Sequence, residues 1–258
     1  MFRLRDTWSD TQPMKAPICL WSGPRNVSTA MMYSFAQRPD VRVVDEPLYG
    51  HYLRVSGARH PGRDVVMASM NCRGTAVMES LLRQQDSLPS VRLFLKHMAH
   101  HLVDLDLAFL RRTSNVFLIR DPLEMLPSLT IQLPDAQLAD TGLRRQWDLF
   151  SQLRDAGQSP TIVDSRELLL DPQGILTQLC QHLDLEFDAG MLSWTAGPIA
   201  EDGVWAPYWY QSVHQSTGFA TYRRKQGFPA GLDALYQECK PWYDKLFEHA
   251  LLSRPDGD

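Results

Sequence analysis

The stretch ICLWSGPRNVSTAMMYSF, Ile18 to Phe35, decides how the rest of the chain is read. An apolar run enters a small polar turn, Ser22-Gly23-Pro24-Arg25-Asn26-Val27-Ser28-Thr29, and leaves it as a second apolar run at helical spacing. In an open α/β sheet the loop after the first strand presents backbone N–H groups and a helix N-terminus to an anion. Gly23 allows close backbone approach, Arg25 offers a bidentate fork, and Ser28 and Thr29 can cap the helix and donate hydroxyl hydrogen bonds. Pro24, Asn26 and Val27 belong to the same candidate anion loop. An ordinary strand-to-helix turn with an N-cap has the same outline, so the loop needs support from elsewhere in the chain.

Comparison with the pattern GxxxxGK[ST] narrows the choice, because here no lysine precedes the hydroxyl pair and no second glycine stands in the loop. ATP or GTP hydrolysis is disfavoured. Asp45 and Asp164 are only positional candidates for a magnesium-holding aspartate.

Outward from this loop, short apolar runs alternate with helical patterns. Ala16 to Trp21, Val41 to Asp45, Val91 to Leu95, Asn115 to Ile119 and Thr161 to Val163 read as strands. Helices are expected over Ser28 to Gln37, Val65 to Arg83, Leu102 to Arg111, Leu123 to Gln132, Leu138 to Ala156, Gly174 to Leu183 and Leu232 to Leu252. The alternation predicts a P-loop-type parallel sheet of about five strands flanked by helices, in one α/β domain over residues 16–258 after a flexible lead of residues 1–15. From Trp194 to Gly227 the pattern gives way to aromatic, Gly and Pro residues, the composition of a lid or binding loop.

The 258 residues are 44% hydrophobic, enough for a large buried core, and the formal charge of -4 argues against a protein that coats nucleic acid. Four cysteines without a CxxC pair argue against a zinc site or a disulfide framework and fit a reduced cytoplasmic compartment. No run approaches the roughly 18 apolar residues of a membrane span, so no membrane partner is expected.

A second site stands in NVFLIRDPLEMLPSL, Asn115 to Leu129. A buried strand ends in Arg120, Asp121-Pro122 opens a helix, and Ser128 lies along it. Arginine at a strand end beside the first loop is placed for an anion; pairing with Asp121 or Glu124 is the plain alternative.

Together the two sites resemble the sulfotransferase family, whose donor is 3′-phosphoadenosine 5′-phosphosulfate. Arg25, Ser28 and Thr29 match its 5′-phosphosulfate loop, often R-x-x-S/T-S/T, and Arg120 with Ser128 eight positions later matches its 3′-phosphate element. The segment VDSRELLLDPQGILTQLCQHLDLEFD is similar to a structural part of the family. The likeness is closer to the bacterial and carbohydrate-directed branches than to the cytosolic one, which carries Lys where Arg25 stands. Many members have Gly where Val27 stands, and the Gly-rich, Lys-containing motif of the cytosolic branch is absent; STGFATYRRKQG, through Arg223, Arg224 or Lys225, could close over the nucleotide instead.

The resemblance implies sulfuryl transfer from that donor to a hydroxyl or amine of a small-molecule acceptor, yielding adenosine 3′,5′-bisphosphate without a metal. It also implies roles for three residues: Glu46 as general base, Lys96 as a contact to the moving group, and His97 as a rival base displaced by one position from the family's histidine. His100 and His101 follow closely. The aromatic run DGVWAPYWYQSVHQSTGF suits either an acceptor wall or plain core packing. A P-loop kinase or nucleotide hydrolase is the rival enzyme, and a non-catalytic nucleotide-binding protein the rival without turnover.

Overall fold

Ile18–Ser22 forms β1, all five residues of which are buried, as expected of a central parallel strand covered on both faces. The computed structural model describes residues 15–224 and 227–253, so the expected lead, apart from Lys15, and Lys225 lie outside the described residues. Five further strands follow: β2 (Val41–Asp45), β3 (Arg92–Met98), β4 (Ser114–Ile119), β5 (Thr161–Asp164) and β6 (Ala250–Leu251). They form one six-stranded sheet in the order β2-β3-β1-β4-β5-β6, with every pair parallel.

Strand alternation divides the core in two. Ile18, Leu20, Phe94, Val116, Leu118 and Val163 face one hydrophobic layer, which includes α1 (Ser28–Ala36), α2 (Tyr49–Ser56), α8 (Ser165–Leu170) and α9 (Pro172–His182). Cys19, Trp21, Leu93, Leu95, Phe117 and Ile162 face the other, with α4 (Gly74–Asp86), α5 (Pro122–Leu129), α7 (Leu143–Asp155) and α12 (Asp233–Phe247). The remaining helices are α3 (Arg63–Ser69), α6 (Leu138–Thr141), α10 (Ala206–Trp209) and α11 (Gln211–His214). No helix among the described residues is long and apolar enough to cross a membrane.

Four expected helices are corrected, each by local chemistry. Leu102 to Arg111 is not an α-helix: its two 3-10 turns, Ala99–His101 and Ala108–Arg112, are separated by Asp104 at φ 43° and by Asp106, whose carboxylate accepts the Ala108 N–H. Val65 to Arg83 is interrupted between α3 and α4, where the Asn71 side chain accepts the Arg73 N–H at 2.8 Å. Leu138 to Ala156 breaks at Gly142, whose φ of 75° ends α6 and opens α7. The last expected helix stops at Phe247, and Ala250–Leu251 pairs with β5 as the sixth strand.

The loop between β1 and α1 is held tightly. A Cβ on Gly23 would lie 2.4 Å from the Thr141 carbonyl oxygen, so that position has room only for glycine. Asn26 is buried and donates to the Leu118 carbonyl at 3.0 Å, while Ser165 Oγ donates to the Asn26 carbonyl at 3.0 Å. Arg25 and Val27 adopt left-handed backbone, at φ 60° and 57°. For a β-branched residue this conformation costs about 1–2 kcal/mol.

That strain reverses an ordinary preference: Val27→Gly will be more stable than Val27→Ala, by up to about 1 kcal/mol, although glycine is normally the less stable of the two. Urea unfolding of both variants checks the order, and a more stable alanine variant contradicts the strained-loop account.

Candidate functional site

Three polar groups far apart in sequence meet at the N-terminus of α1. Arg25 Nε donates to Ser128 Oγ at 2.9 Å, and Arg120 Nη1 donates to the Arg25 carbonyl at 2.7 Å. No side chain caps α1, so the N–H groups of its first turn, around Ser28 and Thr29, keep their donor capacity. Burial and the neighbouring charge of Arg120 lower the pKa of Arg25. Two guanidinium groups held together beside a helix N-terminus make a strongly anion-seeking surface.

Arg120 also donates from Nε and Nη2 to Glu124 Oε2, both at 3.4 Å, so the ion pair read as the plain alternative is present as well. The other oxygen of Glu124 accepts from Tyr222 at 2.6 Å, and Arg166 lies over the Tyr222 ring at 5.8 Å. Asp121, Glu124, Arg166, Tyr222 and Arg224 line a hollow of about 370 Å³. The segment read as a closing loop therefore reaches the Arg120 side through Tyr222 and Arg224, while Arg223 is exposed. Arg166 and Tyr222 were not singled out from the sequence, and Glu124 only as an ion-pair partner of Arg120.

A second cluster stands at the ends of β2 and β3. Lys96 is 1% exposed, and its ammonium donates to Asp45 Oδ1 at 2.9 Å, Glu46 Oε1 at 2.6 Å and Tyr210 Oη at 2.7 Å. Tyr210 in turn donates to Asp45, and Trp205 Nε1 donates to Tyr210 Oη at 3.1 Å. The Gly203 N–H supplies Asp45 with a further donor. Glu46 is turned to φ 37° as the chain leaves β2, and its N–H is tied to the Lys96 carbonyl at 2.8 Å.

The electrostatics of the cluster follow from burial and charge. Burial alone would push Lys96 toward its neutral form, but Asp45 and Glu46 together outweigh it and raise its pKa. Burial, with the charge of Asp45 added, holds Glu46 above the ordinary carboxylate range even against Lys96. Asp45, read from the sequence only as a positional candidate for a magnesium-holding aspartate, and Tyr210, read only as part of the aromatic run, thus belong to this cluster. Asp45 could have been found from the strand alternation that pairs it with Lys96 across β2 and β3, whereas no local signal marks Tyr210.

His97 is placed differently from Lys96. Strand alternation turns it to the opposite face, where its ring stacks on Trp21 at 4.3 Å with the planes 14° apart. Among the described residues neither ring nitrogen has a partner, and burial followed by the Lys96 charge pushes its pKa down to about 3. His101 faces the cluster instead, its Nδ1 3.9 Å from Glu46 Oε2 and its ring stacked on Tyr49 and Tyr52.

The family model described as Sulfotransferase domain matches residues 15–250. The chain belongs to the sulfotransferase domain family. It is also 40% identical over 242 residues to branched-chain-amino-acid aminotransferase-like protein 1 of Arabidopsis thaliana, a match covering 91% of this chain and 43% of that protein. The corresponding protein 2 of the same plant is 38% identical over 231 residues, covering 89% of this chain and 41% of that protein. This sulfotransferase-family chain thus spans less than half the length of those curated relatives. Among solved structures, the sulfotransferase domain from the Synechococcus PCC 7002 olefin synthase superposes with a TM-score of 0.58 at 18% identity, covering 95% of this chain and 99% of that one, which is a likeness of fold.

Removing the ammonium at the centre of the cluster leaves two carboxylates buried without a cation. Lys96→Met is expected to destabilise the protein by about 3–5 kcal/mol, and Lys96→Met with Glu46→Gln to recover part of that loss. Urea denaturation of the single and double variants measures both; a single variant as stable as the parent would contradict the buried cluster.

Proposed function

We propose that this sulfotransferase-family chain is an enzyme that transfers a sulfuryl group from 3′-phosphoadenosine 5′-phosphosulfate to a hydroxyl of a small acceptor. The observation that carries the reading is the convergence of Arg25, Arg120 and Ser128 on the uncapped start of α1. Gly23, Pro24, Arg25, Asn26, Val27, Ser28 and Thr29 would hold the 5′ end of the donor. Arg120 and Ser128 would hold the 3′-phosphate, with Arg224 and, by its place in the same segment, Arg223 over the nucleotide.

In this reading Glu46 takes the proton from the acceptor hydroxyl as its oxygen forms the new S–O bond. The bond from sulfur to the 5′-phosphate oxygen breaks, and that oxygen keeps the electron pair. Arg25 and the helix N-terminus offset the charge growing on the leaving phosphate. Lys96, with its ammonium donors engaged by Asp45, Glu46 and Tyr210, acts through Glu46 as a positioning residue. His97, stacked on Trp21 and facing away from Lys96, is not proposed as the base.

The relatives' aminotransferase names describe a different activity from the family matched here; we read this chain as the counterpart of one part of those longer proteins. The four free cysteines fit our placement of the protein in a reducing, cytoplasmic compartment.

Two measurements test the reading. Adenosine 3′,5′-bisphosphate will raise the melting temperature without magnesium while ATP with magnesium will not. Arg120→Ala will weaken bisphosphate binding by about 10- to 100-fold, the worth of charge-assisted hydrogen bonds to a phosphate; no thermal shift, or an unchanged affinity, would sink it.

The pH dependence has a definite sign. Glu46 must be ionised to accept a proton, and burial holds its pKa above the ordinary glutamate value, so kcat/KM will fall as pH drops through that raised value. Glu46→Gln will lose turnover yet still bind the bisphosphate. An acid limb centred at or below 4.5 in the parent enzyme would count against Glu46.

A further inference from the structure

We propose that the acceptor is a hydroxylated organic anion, its charged group seated in the Arg59/Arg63 hollow while its hydroxyl lies at Glu46. The inference rests on the reading of Glu46 as the base and adds the chemical class of the molecule it serves.

The inner end of the proposed seat is at His101, which is 2% exposed. Its Nδ1 faces Glu46 Oε2 across 3.9 Å and has no hydrogen-bond partner among the described residues. A buried imidazole nitrogen beside a carboxylate, with nothing bonded to it, is an invitation to a hydroxyl that bridges both. Burial, and then the charges of neighbouring histidines, holds His101 in its neutral form, able to accept or donate there.

From that point a wall of rings leads outward. His101 stacks on Tyr49 at 5.0 Å with planes 5° apart, and Tyr49 Oη is 2.8 Å from His60 Nδ1. His60 then lines an open hollow of about 600 Å³ together with Arg59 and Arg63. The loop carrying these arginines is docked against the aromatic segment: Gly62, at φ 70°, lies so close under Tyr208 that a Cβ there would come within 2.7 Å of its ring. That segment also supplies Tyr210 to the buried cluster, so hollow and base are fixed to one frame.

The charge of the hollow is the deciding feature. The whole chain is net -4, yet the hollow is lined by Arg59 and Arg63 against the single acid Asp64. Asp64 answers one edge of Arg63 at 3.1 Å, and the Leu53 carbonyl meets another at 3.4 Å. Arg59 is exposed and meets no carboxylate among the described residues. An acceptor with its hydroxyl between His101 and Glu46 and a carboxylate or phosphate at Arg59 and Arg63 satisfies both ends at once.

The experiment uses the full chain with labelled 3′-phosphoadenosine 5′-phosphosulfate and matched phenols: 3-(4-hydroxyphenyl)propionate, its neutral amide, and 4-hydroxyphenethyl phosphate. Both anions are expected to exceed the amide in kcat/KM by about tenfold or more, the two anions separating carboxylate from phosphate preference. Arg59→Glu is expected to cut that anion-to-amide ratio about tenfold, whereas Arg111→Glu, on an exposed turn elsewhere, keeps it. An amide equal to the anions, no transfer to either anion, or a ratio unchanged in Arg59→Glu overturns the inference. The bisphosphate thermal shift separates the two ideas: if it is present and the anions fail, only the acceptor class is wrong; if it is absent, the sulfuryl reading itself falls.

Discussion

One ammonium group, taken out of water at the end of a parallel strand, organises half of this molecule. Lys96 is all but fully buried, and desolvating a cation costs several kcal/mol unless charges and hydrogen bonds of good geometry answer it. Its neighbours Asp45, the last residue of β2, and Glu46, just beyond it, supply the charge. Tyr210 supplies the third partner from a segment that would otherwise have little reason to cross this edge of the sheet. Asp202 and Gly203 fasten the same segment, through Tyr33 at 2.7 Å and His214 at 2.9 Å on one side and Asp45 on the other. The aromatic run thus forms a roof because a buried charge requires one.

The site that results has two electrostatic characters on neighbouring strands, β1 and β3. Around α1, arginines crowd one another and would be relieved by an anion. Around Lys96, two carboxylates share one cation, and Glu46 keeps an oxygen turned toward His101. A reaction that pushes negative charge onto a leaving phosphate while drawing a proton from a hydroxyl needs this polarity, with cationic donors on the leaving side and a basic oxygen on the entering side. The parallel sheet places both at the carboxyl ends of its strands.

Much of this could be read from the chain. The apolar runs located five strands, because fully buried parallel strands leave an uninterrupted hydrophobic trace. The candidate anion loop and the Arg120–Ser128 spacing could be proposed from the sequence because each is local: a glycine, a fork and a hydroxyl within one turn, or two residues on one strand and the helix that follows it. The Lys96–Tyr210 contact was not, since it joins positions 114 apart and depends on how an irregular segment folds back. Period-two alternation does separate His97 from Lys96, and the role offered for His97 rested on spacing taken without regard to face. The 102–111 helix failed because Asp106, which accepts the Ala108 N–H, and Asp104 in left-handed backbone outcompeted a weak apolar pattern. The sixth strand, two residues long, is too short to carry any pattern.

The rims of the sheet have a consequence of their own. A parallel sheet that ends in an exposed strand offers unpaired amide groups to any other chain in the cell. On one side β2 interrupts its apolar run with exposed Arg42; on the other, β6 gives only Ala250 and Leu251 before pairing ends. A charge in the middle of one rim and extreme brevity at the other both discourage a second sheet from docking edge to edge. The fold thus leaves its flanks poor templates for aggregation, while the polar groups of the β1–α1 loop and Glu46 stand at the strand ends.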